Sequence, residues 1–165
     1  MSTPTAALSI TPVASGPRAV TADDRDAIQR LLTDARLPTA GVAEILAAHP
    51  GDFLVVDEPG VPGQLSGVAG LEVRGSTALL RSVAVSPTRR GQSVGRVLVE
   101  RLLAEAELRG LCALYLLTET AEDYFPRFGF VRTDRATVPR EIADTLEFRS
   151  ACPASAVAMA KALRT

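Results

Sequence analysis

Residues 89–95 read Arg-Arg-Gly-Gln-Ser-Val-Gly and lead straight into an amphipathic stretch ending near Arg109. The first amides of a helix have no intrahelical partner, and the helix dipole favours an anion at that end. Glycine lets the backbone approach a ligand closely, and a guanidinium supplies a bidentate charge. This combination is suited to a phosphate group. The amides of Gln92, Ser93, Val94, Gly95 and Arg96 can converge on it, with Arg89 or Arg90 supplying charge and Gly91 the turn. A β-branched apolar run, residues 79–85, precedes the loop, separated from it by a turn containing Pro87. Strand, basic loop and helix start therefore form one anion-holding unit.

The elements around that unit follow from periodicity and punctuation. Residues 1–17 are rich in Ser, Thr, Pro and Ala and are expected to be a partly mobile segment, with room for a short edge strand over residues 8–13. Residues 18–165 form the domain proper. Thr21 is the expected N-cap of a helix that carries Ile28, Leu31 and Leu32 on one side and ends before Pro38. A shorter helix spans residues 41–48. Residues 52–57 and 65–73 read as strands, and Arg74-Gly75-Ser76 turns the second into the strand at 79–85, giving an antiparallel meander. The central helix spans about residues 95–109, and Gly110 stops it. Residues 111–117 form a buried strand that must run parallel to 79–85, because a helix separates the two. A short helix over 122–128, a strand starting at 130, a helix over 138–147 and a last strand over 155–162 complete the chain. The class is mixed α/β (α+β): a mostly antiparallel sheet with one parallel pair and helices on both faces.

Composition narrows the function. The chain has 165 residues, 47% hydrophobic and 22% charged, which suits one soluble domain. A net charge of −1 argues against a general binder of nucleic acid. The two cysteines, Cys112 and Cys152, are too isolated for a disulfide framework or a zinc site, so no metal is expected. They read as reduced, buried thiols, with Cys152 also a candidate for a substrate pocket. No apolar run approaches the ~18 residues of a membrane span, and no signal-peptide pattern opens the chain, so a cytoplasmic protein without membrane partners is expected. His49, the only histidine, has no nucleophile motif beside it and reads as a loop residue.

The run SVAVSPTRRGQSVG (82–95) ahead of a helix, followed one helix and one strand later by YFPRFGF (124–130), resembles the GCN5-related N-acetyltransferase (GNAT) superfamily. The tail VPREIADTLEFRSACPASAVAMAKAL (138–163) is similar to the acetyltransferase domain of N-acetylglutamate synthases, and closer still to acetyltransferases of bacterial arsenic-resistance operons. The resemblance implies acetyl-CoA as co-substrate and a glutamate-like amino acid, or an arsenic-containing analogue of it, as acceptor. Dimers are common in the family. Another small amine, an antibiotic or a protein N-terminus as acceptor, and a non-catalytic acyl-CoA sensor, are the competing readings.

The same resemblance distributes roles. It sets the backbone of Val83 and Val85 along the pantetheine, with the Val83 amide polarising the thioester carbonyl, and binds the pyrophosphate at Arg90 to Arg96. Where many relatives carry a glutamate base, this chain has Leu79. Arg81, two residues on and on the same strand face, reads either as a clamp for the substrate carboxylate or as a structural ion pair. Glu72 and Glu119 are candidate proton acceptors, through water if need be. Tyr124 stands one residue from the family's tyrosine position, which Phe125 occupies, and is a weak candidate for the acid. Thr118, Arg149 and Ser155 are candidates for the acceptor pocket. Ser93 stands where the family has a loop glycine. A helical φ with a phosphate-facing hydroxyl is expected there, since φ > 0 would cost about 1–2 kcal/mol.

Overall fold

The protein, in a computed structural model, is described over residues 16–151 and 154–164, with the side chains of residues 150 and 151 excepted. In chain order the elements are β1 (Arg18–Ala19), α1 (Arg25–Asp34), α2 (Val42–Ala48), β2 (Phe53–Asp57), β3 (Leu65–Arg74), β4 (Thr77–Val85), α3 (Val94–Leu108), β5 (Ala113–Thr118), β6 (Val131–Arg132), α4 (Arg140–Ala143) and β7 (Val157–Ala162). The strands form one seven-stranded sheet in the order β1-β2-β3-β4-β5-β7-β6. Only β4 and β5 pair in parallel; the other neighbours are antiparallel.

Two apolar clusters sandwich the sheet, so helices cover both faces as expected. On one side, Leu98, Val99, Leu102 and Ala106 of α3 pack on Leu71, Leu80, Leu114 and Leu116, with Phe125, Phe128 and Phe130 closing the edge. On the other, Ile28 and Leu32 of α1 and Val42 of α2 cover Phe53, Val55, Val68 and Ala84. Burial on both faces explains why β3 and β4 are apolar almost throughout, with no alternation.

The boundaries depart from expectation where a side chain or proline competes with the helix ladder. The expected helix start at Thr21 is a 3-10 turn, Ala22–Asp24, whose Asp24 Oδ2 accepts from the Thr21 amide at 2.8 Å. Residues 122–128 give only a 3-10 turn, Phe125–Phe128, because Pro126 supplies no amide. The helix expected over 138–147 shrinks to α4. The Thr145 hydroxyl donates to the Ile142 carbonyl at 2.7 Å, and the chain re-forms as a π-helical turn over Glu147–Ala151. The expected strand over residues 8–13 lies outside the described residues, and β1 forms at Arg18–Ala19 instead. Its arginine donates to both Asp24 and Asp57 at 2.8 Å, tying the sheet edge to α1. Cys112, expected to be buried, is exposed on the approach to β5, and Cys152 lies outside the described residues. His49 is the exposed residue between α2 and a 3-10 turn. Among the described residues no helix is long and apolar enough to cross a membrane.

Candidate active site

The parallel register of β4 and β5 runs from Thr77 opposite Ala113 to Leu79 opposite Tyr115 and goes no further. Beyond it the strands part, and a cavity of about 460 Å³ opens between Leu80–Val85 on one side and Leu116–Ala121 on the other. Its lining includes Arg81, Val83, Val85, Arg90, Gly95 and Tyr124. The wedge thus joins the strand, loop and helix start singled out by the sequence.

A β-bulge shapes the wedge. Gly70 pairs with Arg81 and Val68 with Ala84, so Ser82 and Val83 together face the single residue Ala69. Ser82 has φ 58°, and the Arg81 Nε donates to its hydroxyl at 3.3 Å. Such a bulge leaves one residue out of the ladder and re-aims the strand. Before it, Leu80 faces α3; after it, Ala84 faces α1 and α2.

The loop's backbone departs from expectation at two residues, Ser93 and Gln92. Gly91 (φ 80°) and Ser93 (φ 65°, ψ 13°) both adopt left-handed backbone, so Ser93 does not have the helical φ expected of it. Alternating conformations of this kind point successive amides to one side, as in an anion nest. The Gln92 amide already donates to the Arg89 carbonyl at 3.3 Å, leaving those of Ser93, Val94, Gly95 and Arg96 at the helix start. Arg89 is held by Glu58, which accepts from both its Nε and Nη2, and this pairing pulls the Glu58 carboxyl below its ordinary range. Arg90, by contrast, lines the cavity. Arg96 pairs with Glu100 at 2.9 Å along the helix. The space above Gly95 is tight: a Cβ there would come within 3.1 Å of the Tyr124 hydroxyl and 3.2 Å of Val85. Orphan amides, Arg90 and the open wedge together fit a pyrophosphate followed by an extended thiol-bearing arm.

Arg81 lines the cavity as well, and its side chain is fully buried. Its Nη1 donates to Glu72 Oε1 at 2.7 Å, and Glu72 Oε2 accepts from Arg74 at 2.8 Å. Among the described residues its Nη2 has no hydrogen-bond partner, with Glu147 Oε1 3.7 Å away. Glu72 does not line the cavity, and both of its oxygens are engaged; the geometry makes it the anchor of Arg81. Glu119 does line the cavity but is exposed. Thr118 lines it too, with its hydroxyl accepting from the Ala121 amide at 3.0 Å. Tyr124 is half-buried there, stacked under Arg127, and burial raises its hydroxyl pKa. Arg149 and Ser155 are exposed and do not line the cavity; the π-helical turn sends Glu147 inward and Arg149 outward, and Ala156 reaches the cavity in place of Ser155.

Glu147 is the residue that sequence reasoning missed. Counted along an α-helix from the buried Ile142 it falls about 140° off the buried face, so periodicity assigns it to solvent. The break at Thr145 resets the phase and buries it. Burial raises its carboxyl pKa, Arg81 opposes the rise and Glu72 adds to it.

Residues 49–132 match the acetyltransferase (GNAT) domain family. The chain belongs to that family, and its fold is that of a single GNAT-type domain. A curated relative, an amino-acid acetyltransferase of Mycobacterium tuberculosis, is 32% identical over 58% of this chain and 55% of its own length. The chain thus spans little more than half of that relative. The fold is also that of Rv2747 from Mycobacterium tuberculosis, solved with CoA (TM-score 0.76, 24% identity, 91% of this chain and 100% of that one). N-acetylglutamate synthase from Neisseria gonorrhoeae, complexed with coenzyme A and N-acetyl-glutamate, superposes with TM-score 0.73 at 19% identity, over 92% of this chain and 35% of that one.

Proposed function

We propose that the protein transfers the acetyl group of acetyl-CoA to the α-amino group of a small, glutamate-like amino acid, directly between the two bound substrates. The observation that carries this reading is the Arg81 guanidinium, buried on a residue that lines the cavity and anchored by Glu72, with Nη2 making no hydrogen bond among the described residues. An unpartnered, desolvated guanidinium edge calls for a carboxylate, and an amino acid brings one. The tail's resemblance to arsenic-operon enzymes makes an arsenic-containing glutamate analogue a specific acceptor to test.

The donor half follows from the loop. The amides at the α3 start and Arg90 hold the pyrophosphate, and Val83 and Val85 run beside the pantetheine arm. The Val83 amide, next to the bulge, donates to the thioester oxygen as negative charge develops on it. The coenzyme thiolate needs little assistance, with a thiol pKa near ~8.5. Tyr124, whose hydroxyl pKa burial raises, lines the same cavity with its proton in place at neutral pH.

A thiol-release screen over amino acids, including glutamate and its phosphinyl and arsinyl analogues, tests the proposal. Turnover with acidic amino acids well above that with neutral ones and polyamines is expected. Flat rates with every amino acid, in protein that binds acetyl-CoA, would overturn it.

A further inference from the structure

We propose that Glu147 receives the acceptor's ammonium group and takes its proton, beside the Arg81 Nη2 that holds the same molecule's carboxylate. The assignment rests on the amino-acid reading above and adds the group that reading lacks. Three carboxylates lie near the wedge. Glu72 has both oxygens engaged and does not line the cavity, and Glu119 is exposed at the mouth. Glu147 is 5% exposed and lines the cavity. Its oxygen stands 3.7 Å from Arg81 Nη2, too far for a hydrogen bond, and that nitrogen has no hydrogen-bond partner among the described residues. Opposite charges buried side by side but not bonded leave both short of stabilisation. A zwitterion resolves this: its carboxylate completes the guanidinium and its ammonium meets the glutamate.

Arg81 stands between Glu72 and Glu147, and Arg74 shares only Glu72, so Glu147 has no cation bonded to it. The other charged groups on the cavity among the described residues are Arg36, Arg90 and Glu119, and Arg135 donates to the Phe148 carbonyl next to Glu147. An arriving ammonium would meet Glu147 locally, while the same molecule's carboxylate keeps the net charge of the site from rising. A carboxyl whose pKa burial has raised is also a better match for an amine's proton than an ordinary one. In the step itself, a proton passes from the ammonium nitrogen to the Glu147 carboxylate. The freed lone pair forms the N–C bond to the acetyl carbon. The C–S bond then breaks, its electron pair leaves on the coenzyme sulfur, and the second nitrogen proton goes to that sulfur.

The test compares wild type, Glu147→Gln and Glu147→Asp in steady state with the best amino acid from the screen, from pH 6 to 9. Melting curves of all three establish folding. For Glu147→Gln, kcat/KM for the amino acid should fall at least ~100-fold, KM for acetyl-CoA should stay within about twofold, and the acid limb of the pH profile should disappear. Glu147→Asp should recover part of the rate and keep that limb. A Glu147→Gln enzyme with unchanged kcat/KM and pH profile would overturn the assignment while leaving the amino-acid reading intact. A wild type that acetylates no amino acid would overturn both.

Discussion

Ser93 shows at the scale of one residue how the loop ahead of α3 is held. Its φ of 65° is a conformation that costs a non-glycine residue about 1–2 kcal/mol, and no capping bond from its side chain offsets it. Ser93→Gly should therefore raise Tm by about 2–6 °C in a chain of this size, while acetyl-CoA affinity in a calorimetric titration changes by less than about threefold, because backbone amides do the binding. Glu147 carries the opposite kind of cost. A carboxyl whose folded pKa is raised adds stability below its unfolded value near ~4.3 and loses it as pH rises through the folded value. Glu147→Gln removes that loss, so its Tm should match wild type at pH 4.5 and exceed it increasingly towards pH 8. Thermal melts across that range check the sign. Arg81 allows no such gain, since truncating it strands two buried carboxylates at about 3–5 kcal/mol.

The element that joins the wedge to the core is α3, whose first turn reaches the cavity at Gly95 and whose later turns pack into the core. At Gly95 the two duties meet. Alanine there favours the helix by up to about 1 kcal/mol but pushes on the Tyr124 hydroxyl and Val85. Gly95→Ala should thus raise KM for acetyl-CoA at least ~5-fold with little change in Tm, which kinetics and melting curves together would reveal. Strand, loop and helix were legible in the sequence because each has a local cause: β-branched runs, a glycine-bearing basic turn, an amphipathic period. The parallel pair followed from chain order alone. The acceptor side was not legible in the same way. The fate of Arg81 depends on Glu72 across a strand pair and on Glu147 from 66 positions downstream, and the phase of Glu147 is set by the Thr145 hydroxyl. Long-range pairing and a broken helix leave no period to read.

For the molecule as a whole, one sheet carries a separate core on each face and opens a single wedge between β4 and β5. Ligand that binds only the folded state stabilises it by mass action, about 2.7 kcal/mol at a hundredfold excess over Kd. Acetyl-CoA at that level should raise Tm by about 5–11 °C, and the absence of any shift would remove the donor assignment. The bulge at Ser82 and Val83 gives one class of genetic change an unusual outcome. Losing the Ser82 codon would leave Val83 opposite Ala69 and Ala84 opposite Val68, so every remaining side chain would keep its face and its core. Only the extra residue would go, and with it the bend that re-aims the strand. For this strand, a missing triplet would spare the packing and straighten the wall of the wedge.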